Sequence, residues 1–241
     1  MTTDIRLTLG EGAEVALAKA PHILVAGMTG AGKSVAIHSY LVQLIGHHPR
    51  GVNLVLIDPK RVEFGRYQGI PHLIWPWVAY EIEEADAALK WVEAEMRMRF
   101  YRMEQAGARD ISQMPDPWAR LVVFIDELAN LVLNAKHLSK RIVTIASMGR
   151  AAGVHLVLAT QRPAADVISP LIRANVPTRV ALSTITGSDS RIILDVQGAE
   201  ELEHPGDMLV RLPGRRDLIK TRGIYVSDMD IDAAIQRARQ M

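Results

Sequence analysis

The sequence predicts an α/β domain with a mostly parallel central sheet flanked by helices. Three observations support this class. Short, almost purely apolar runs alternate with amphipathic helical stretches, the main apolar runs stop at glycine or at a carboxylate, and no Pro/Gly/Ser-rich linker divides the chain. Strands that are apolar along their whole length are buried on both faces, as in parallel sheets covered by helices.

Eight short stretches are predicted to be strands, because they are apolar or alternating runs bounded by turn residues. In chain order they are residues 5–9, 22–26, 52–57, 121–125, 154–159, 178–182, 207–211 and 219–226. In open parallel sheets, ligands bind beyond the carboxyl ends of the strands. Chemistry is therefore expected just after Ala26, Ile57, Ile125 and Ala159.

Six stretches between these strands have helical periodicity. They are residues 34–45, 81–105, 136–148, 166–174, 188–194 and 228–240. Gly46 and Gly107 supply stops for the first two helices, since glycine readily takes the left-handed conformation at a helix end. Asp228 or Asp230 is expected to lie near the N-cap of the last helix.

Composition limits the classes of protein that the chain can belong to. Its 241 residues are 49% hydrophobic and 23% charged, which is typical of a folded domain and argues against wholesale disorder. The absence of cysteine excludes disulfides, cysteine-ligated metals and a thiol nucleophile. No apolar run approaches the roughly 18 residues that cross a bilayer, and residues 1–4 lack a basic-then-apolar signal layout. We therefore expect a cytoplasmic product without a membrane segment.

The strand at 22–26 is followed by a complete G-x-x-x-x-G-K-S motif. It comprises Gly27, Met28, Thr29, Gly30, Ala31, Gly32, Lys33 and Ser34. Glycines let the backbone turn so that successive N–H groups surround a polyphosphate, and the helix that follows directs its positive dipole end at the same anion. In this motif the lysine reaches the β- and γ-phosphates and the serine hydroxyl binds Mg²⁺. The sequence therefore predicts a nucleotide site, with Lys33 on the phosphates and Ser34 on the metal.

A second motif is the pair of carboxylates that ends the apolar run at 121–125. Asp126 is placed to hold the water shell of Mg²⁺ beside the phosphate loop. Glu127 lies one residue on and faces differently, so it can orient or deprotonate an attacking water. Such a pair is expected of a hydrolase. The other strand-end acid, Asp58, has no second carboxylate beside it and is predicted to have a structural or supporting role.

Three polar residues near later strand and helix ends are candidates for sensing or stabilising the γ-phosphate. Thr160 and Gln161 follow the strand at 154–159, where a polar side chain can touch the γ-phosphate or its water. Arg150 ends a predicted helix, in a stretch of small residues. An arginine there can reach a neighbouring subunit's nucleotide as an arginine finger, or it can simply meet its own helix dipole.

Positive charge is concentrated in the second half of the chain. Between Lys136 and Arg191 there are eight basic and two acidic residues, a net of +6 in a chain whose formal net charge is +1. Such a segment is either a solvated face or a surface for a polyanion.

Together these motifs resemble the motor core of FtsK/SpoIIIE DNA translocases, in the HerA–FtsK class of P-loop ATPases. The matching stretches are residues 21–34, 57–63, 69–73, 126–127, 150–163, 172–179, 189–195 and 206–209. The resemblance covers roughly residues 21–226 and implies a RecA-like fold. It also implies three regions, namely a short N-terminal strand or extension at 1–20, the motor at 21–227 and a C-terminal helix at 228–241.

The resemblance further implies roles for single residues. Lys33 serves the phosphates of ATP, Ser34 and Asp126 serve Mg²⁺, and Glu127 is the hydrolytic base. Arg150 matches the family's arginine finger and Gln161 its sensor.

Family members form rings, usually hexamers, that pass double-stranded DNA through a central pore. The pore loops of the family correspond here to residues 136–140 and 184–191, inside the positive segment. Lys136, Lys140 and Arg191 are therefore the expected DNA contacts, and contacts with the phosphate backbone would be independent of DNA sequence and sensitive to salt.

Two other interpretations remain open from the sequence. Related motors act on proteins or on single-stranded DNA in secretion and conjugation, and a nucleotide-binding assembly module would keep the fold without translocating anything. The positive segment favours nucleic acid, while the intact Asp126-Glu127 pair and Arg150 argue against an inactive module. The membrane helices, linker and winged-helix module of the large family members have no counterpart in these residues. We therefore expect either a motor fragment or a free-standing small translocase.

Overall fold

A computed structural model describes residues 5–47, 49–74 and 77–241, so the predicted absence of a signal at residues 1–4 lies outside the described residues. The strands are β1 (Arg6–Gly10), β2 (Ala13–Ala16), β3 (His22–Ala26), β4 (Val52–Ile57), β5 (Arg120–Ile125), β6 (Val154–Thr160), β7 (Thr178–Leu182), β8 (Asp207–Arg211) and β9 (Ile219–Arg222). The helices are α1 (Lys33–Ile45), α2 (Ile82–Gln105), α3 (Leu128–Asn134), α4 (Lys136–Ala152), α5 (Pro170–Asn175), α6 (Gly187–Leu194) and α7 (Asp228–Arg239). Across these described ranges, no helix combines the length and apolarity that a membrane crossing requires.

The centre of the fold is a seven-stranded sheet with the order β4-β5-β6-β3-β7-β8-β9. Its first five strands pair in parallel, and β8 and β9 extend the sheet in antiparallel fashion beyond β7. β1 and β2 form a separate two-stranded hairpin. The five parallel strands are buried on both faces almost throughout, which is why they are apolar. The predicted α/β class with a mostly parallel sheet is thus confirmed.

Two hydrophobic clusters cover the two faces of the sheet. Along β3, Ile23 and Val25 belong to one cluster and Leu24 and Ala26 to the other, because successive side chains of a strand point to opposite faces. The first cluster also contains apolar residues of the β1–β2 hairpin, of α1 and of the terminal helix α7. The second contains those of α2 to α6.

The sequence-based assignment differs from the structure in several places. It omits β2 and α3, and two of its elements are too long. The helix predicted at 166–174 begins only at Pro170, since proline has no N–H to continue a helix through it, and Ser169 caps this start. The strand predicted at 219–226 ends at Arg222, where the chain turns and Gly223 donates to the Gly206 carbonyl. The N-cap of α7 is Ser227, in a reciprocal capping box with Asp230.

Helix α4 is fixed against α2 by charged side chains. Arg141 lies 2.7 Å from Asp86 and 2.6 Å from Glu93, both on α2. At the other end of α4, the buried Arg99 of α2 donates to the Ala152 carbonyl at 3.0 Å, which satisfies one free carbonyl of the helix terminus. The two ends of α4 are therefore held at defined positions relative to the sheet.

Two buried histidines lie side by side at the amino ends of β3 and β6. His22 accepts a hydrogen bond from the Leu156 amide through Nδ1 at 3.0 Å, and His155 contacts the Pro21 carbonyl at 3.0 Å. Burial lowers the pKa of His22 from 6.5 to about 4, although a backbone hydrogen bond opposes it. Burial also lowers the pKa of His155.

These histidines predict a loss of stability on acidification. Below pH 6.5 the unfolded chain takes up protons that the native His22 does not accept until about pH 4. The free energy of unfolding should therefore fall between these pH values, by about 3 kcal/mol for His22 alone. Urea denaturation from pH 8 to pH 4.5 measures this. The variant His22→Asn, which keeps an acceptor for the Leu156 amide, should flatten the pH dependence. An equal flattening in His204→Asn, at an exposed histidine, would contradict this account.

Candidate active site

Four loops meet at the carboxyl edge of the parallel sheet. Because β3 lies between β6 and β7, the loop that follows it occupies the middle of this edge. Ala26 is level with Thr160 at the end of β6, and Ile57 is level with Ile125 at the end of β5. The four strand ends that the sequence pointed to therefore lie together.

The phosphate-loop motif folds as a tight backbone cradle at the start of α1. Gly30 and Gly32 have φ of +82° and +98°, in the left-handed region that glycine adopts without strain. The loop is anchored on both sides, since Met28 donates to the Ser183 carbonyl at 2.8 Å and the Ala31 carbonyl accepts from Gly206 at 2.9 Å. A Cβ on Gly32 would lie 2.9 Å from the Gly206 nitrogen, so this glycine is also required by close packing.

Lys33 and Asp126 form a buried ion pair at the centre of the edge. Lys33 Nζ lies 2.6 Å from Asp126 Oδ1 and 3.1 Å from the Asp126 carbonyl oxygen. Both side chains are almost completely buried. Burial raises the pKa of Asp126 above its ordinary value, although Lys33 opposes this. The predicted phosphate ligand is therefore held against the predicted metal ligand.

The hydroxyl of Ser34 is engaged by Glu63, a residue to which the sequence assigned no role. Ser34 Oγ donates to Glu63 Oε1 at 2.6 Å. Glu63 Oε2 lies 3.0 Å from His38 Nε2, and His38 Nδ1 lies 2.8 Å from the Tyr67 hydroxyl. The hydrogen bond with His38 is the largest effect that lowers the pKa of Glu63, to about 2, so Glu63 is ionised at neutral pH.

Glu127 is held by residues from two neighbouring strand ends. Its Oε2 lies 2.8 Å from Lys60 Nζ, and its Oε1 accepts from the Thr160 hydroxyl at 2.6 Å. Burial raises the pKa of Glu127, but the hydrogen bonds from Lys60 and Thr160, together with the positive charges of Lys60 and Lys33, hold it below its ordinary value. Gln161 Oε1 lies 3.3 Å from Lys60 Nζ and 3.3 Å from the Thr29 hydroxyl. The two sensor candidates, Thr160 and Gln161, thus both lie beside Glu127.

Sequence reasoning missed Lys60 and Glu63, which place the loop after β4 inside the site. The carboxyl-end rule pointed to this loop and the family resemblance includes residues 57–63, but only Asp58 was given a role there. Asp58 is fully buried, and its Oδ2 accepts the amide hydrogens of Glu63 and Phe64 at 2.9 Å each. A lysine and a glutamate three residues apart, directly after a buried strand, are the signal that could have identified the loop.

The oxygen atoms of the site fit a magnesium ion. Ser34 Oγ and the carboxylate of Asp126 are hard oxygen donors, which Mg²⁺ prefers. Asp58 Oδ1 is buried and, among the described residues, has no hydrogen-bond partner, so a cation or its water could be accommodated beside it. No group of three or more histidine or acidic side chains in the described ranges could hold a metal alone. This suits Mg²⁺, which usually keeps several waters and binds substrate phosphates.

An apolar cavity of about 300 Å³ adjoins the phosphate loop. It lies between the first turn of α1 and the segments before β8 and after β9. Its lining comprises Gly32, Val35, Ala36, Pro205, Gly206, Met208, Arg222, Gly223, Ile224 and Tyr225. The motif gave no indication of it, because most of these residues follow long after the loop in the sequence.

Arg150 lies at the opposite edge of the sheet from the phosphate loop. It occupies the last turn of α4, which precedes the amino end of β6, and its Nε donates to the Ala18 carbonyl at 3.1 Å. The seven residues of β6 separate the two edges by roughly 20 Å. The side chain is exposed. The fold therefore does not bring Arg150 to the phosphate loop of its own chain.

The three expected DNA contacts are all exposed. Lys136 and Lys140 lie one turn apart at the start of α4, so their side chains share one helix face. Arg191 lies on α6, which begins at a capping box between Thr186 and Asp189. All three side chains are thus free to contact a partner at the surface.

The mostly parallel sheet, the glycine cradle and the carboxylates at the next strand end define a P-loop NTPase of the RecA-like type. The model of the FtsK/SpoIIIE family matches residues 6–120 and 116–165. The chain belongs to the FtsK/SpoIIIE family. It is 44% identical to the DNA translocase SftA of Bacillus subtilis and 42% identical to the DNA translocase FtsK of Mycobacterium tuberculosis, over 95% and 93% of its own length. It spans only 25% and 29% of the lengths of these two relatives.

Two solved structures have the same fold. The conjugation coupling protein TcpA of pCW3, in its monomer form with ATPγS, superimposes with a TM-score of 0.83 at 27% identity. The match covers 98% of this chain and 71% of that one. The cytoplasmic domain of the type VII secretion ATPase EccC of Thermomonospora curvata superimposes with a TM-score of 0.86 at 24% identity, over 99% of this chain and 31% of that one.

Proposed function

We propose that this chain is an ATP-hydrolysing motor domain that assembles into a ring, expected to be a hexamer, and moves double-stranded DNA. The observation that carries the proposal is the position of Glu127. It is an ionised carboxylate held beside the phosphate loop by Lys60 and Thr160, next to the Lys33–Asp126 pair. A site built only to bind nucleotide does not require such a carboxylate.

The proposed chemistry is in-line attack of water on the γ-phosphate of ATP, which breaks the bond between that phosphorus and the bridging β-phosphate oxygen and releases ADP. The N–H groups of residues 27–32 and the amine of Lys33 bind the phosphates once Lys33 exchanges Asp126 for phosphate oxygens. Glu127 orients the attacking water and accepts its proton. Ser34, and Asp126 through water, would hold Mg²⁺, which would supply neutralisation of the phosphate charge. Gln161, which contacts Thr29 of the loop and shares Lys60 with Glu127, is placed to register loss of the γ-phosphate.

The apolar cavity beside the loop is the proposed binding site of the nucleobase. Gly32, Val35 and Pro205 line both this cavity and the pocket at the phosphate loop, and Tyr225 is among the other residues that line the cavity. Ligand pockets are usually apolar with few polar groups. ATP would then extend from its nucleobase in this cavity to its γ-phosphate beside Glu127.

Double-stranded DNA is the proposed cargo for two reasons. The relatives at 44% and 42% identity are DNA translocases. The exposed Lys136, Lys140 and Arg191 lie in the positive segment, which suits contact with phosphates. A ring is supported by Arg150, which is exposed and too far from its own phosphate loop to serve it.

The test is ATP turnover with and without linear double-stranded DNA, at low and moderate salt. We expect DNA to stimulate turnover and salt to remove the stimulation, because phosphate contacts release counterions. The double variant Lys136→Ala/Lys140→Ala should bind DNA more weakly and reduce the log–log salt slope by roughly one per lysine. Lys220→Ala, at an exposed lysine of β9, is the matched control.

Other outcomes would redirect the proposal. Turnover stimulated by single-stranded DNA, or indifferent to DNA, would favour the cargo classes of the conjugation and secretion motors. Assembled rings that bind ATP but do not hydrolyse it would favour a nucleotide-binding assembly module.

A further inference from the structure

We propose that Glu63 is a positioning residue of the Mg²⁺ site, which accepts the hydroxyl hydrogen of Ser34 and so directs the free lone pairs of that oxygen at the metal. The inference rests on the proposed ATPase, since it concerns the metal that ATP would bring. It adds to the phosphate loop and the Asp126-Glu127 pair a residue that no motif assigned.

The geometry of the Ser34 hydroxyl requires an acceptor. A hydroxyl binds a cation through its oxygen, so its hydrogen must point to another group. Glu63 Oε1 lies 2.6 Å from Ser34 Oγ, in the range of short hydrogen bonds to ionised carboxylates. Because the Ser34 hydroxyl directs its hydrogen at Glu63, the remaining lone pairs of Ser34 Oγ are free for Mg²⁺.

Glu63 is itself held by groups from several elements. Ser34 and His38 are four residues apart on α1, so both side chains lie on the same helix face and contact the two oxygens of one carboxylate. The buried Tyr67 fixes His38 through its other ring nitrogen, and Asp58 binds the peptide N–H of Glu63. The carboxylate therefore has a defined orientation before any ligand binds.

The loop that carries Glu63 makes a sharp reversal to reach α1. Arg61 has a φ of +61°, in the left-handed region that side-chain-bearing residues seldom adopt. Its guanidinium is held by Glu81 and lies over the ring of Tyr80, at 4.8 Å from the centroid. Local strain of this kind persists where the surroundings enforce it, and here it places Glu63 against the phosphate loop.

The charge of Glu63 acts in the same space as that of Asp126. Asp58 and Glu63 follow β4, and Asp126 follows β5, its neighbour in the sheet, so three carboxylates lie at adjacent strand ends and repel one another. Lys33 Nζ, 2.6 Å from Asp126 Oδ1, offsets part of this negative charge. A divalent cation would relieve this repulsion, and removal of the Glu63 charge should weaken its binding.

The experiment compares the full chain with its Glu63→Gln variant in two binding measurements. The first is the affinity for a fluorescent ATP analogue in EDTA, which should not change. The second is the Mg²⁺ concentration that half-saturates the metal-dependent gain in affinity, with Mn²⁺ binding by electron paramagnetic resonance as a direct readout. We expect Glu63→Gln to raise this concentration about tenfold or more, as for other groups that orient metal ligands.

Two further variants separate positioning from plain stability. Glu104→Gln, at an exposed glutamate of α2, is the matched control and should titrate like the parent. His38→Gln loosens the same packing but keeps a side-chain donor for Glu63 and the Ser34–Glu63 bond, so it should retain most of the metal affinity. If Glu63→Gln and His38→Gln lose metal affinity equally, and in step with their melting temperatures, then Glu63 only stabilises the structure and does not position the metal site.

The outcomes also distinguish this inference from the proposed function. A parent chain that binds no nucleotide, or binds it without any effect of Mg²⁺, would contradict the ATPase itself. A parent that responds to Mg²⁺ while Glu63→Gln responds identically would overturn the role of Glu63 alone.

Discussion

Replacement of Glu127 by glutamine is expected to lower ATP turnover by about 10²–10⁴-fold while ATP still binds. The amide cannot accept a proton from water, but its oxygen can still accept from the Thr160 hydroxyl, so the shape of the site is kept. Phosphate release under saturating ATP and DNA measures turnover, and equilibrium titration with a fluorescent ATP analogue measures binding.

The control for this substitution is Glu104→Gln, an identical change at an exposed position. It should leave both measurements unaltered. If Glu127→Gln retains turnover within a small factor of the parent, Glu127 is not the group that activates water. If it instead loses ATP binding, Glu127 serves mainly to hold Lys60 in place.

Replacement of Arg150 by alanine is expected to lower turnover of the assembled protein by about 10³–10⁵-fold, the contribution of an arginine finger. The reason is that Arg150 is exposed at the edge of the sheet that the phosphate loop of a neighbouring subunit can face. Nucleotide binding and folding should be kept, because the exposed side chain is held, among the residues that the structure describes, by a hydrogen bond to the Ala18 carbonyl. Arg237→Ala, at an exposed arginine of α7, is the matched control.

A mixture of two inactive variants tests whether the arginine acts between subunits. Subunits with Glu127→Gln keep Arg150, and subunits with Arg150→Ala keep Glu127. When they are mixed with DNA, some interfaces combine both intact groups and turnover should return. An absence of recovery at every mixing ratio, with assembly confirmed by light scattering, would rule out action between subunits.

Lys33, Ser34 and the Asp126-Glu127 pair could be found from the sequence because each stands in a short motif at the end of an apolar run. The order of apolar runs and helices was also sufficient for the fold class. Arg150 and Gln161 could be singled out as residues, but only the fold places them at opposite edges of the sheet.

Lys60 and Glu63 could not be found in the same way, because their partners are far away in the sequence. Lys60 is 67 residues from Glu127, and Glu63 is 29 residues from Ser34. Their roles depend on the pairing of β4 with β5 and on the reversal at Arg61, and neither can be read from local periodicity. Helix α3 was missed for a related reason, since its seven residues follow directly on the carboxylate pair and show little periodicity of their own.

Gly32 and Gly206 approach each other backbone to backbone, so the phosphate loop and the start of β8 share one constraint. This bears on how alleles of such a gene are interpreted. A change at Gly32 that adds a methyl group would disturb the cradle and also push the segment that leads into β8 away from it. Its phenotype would combine a defect of the phosphate loop with a defect of packing, whereas a change at Glu127 would affect the activation of water alone. Because the two glycines are in contact, a suppressor of a change at one of them is most usefully sought among the residues beside the other.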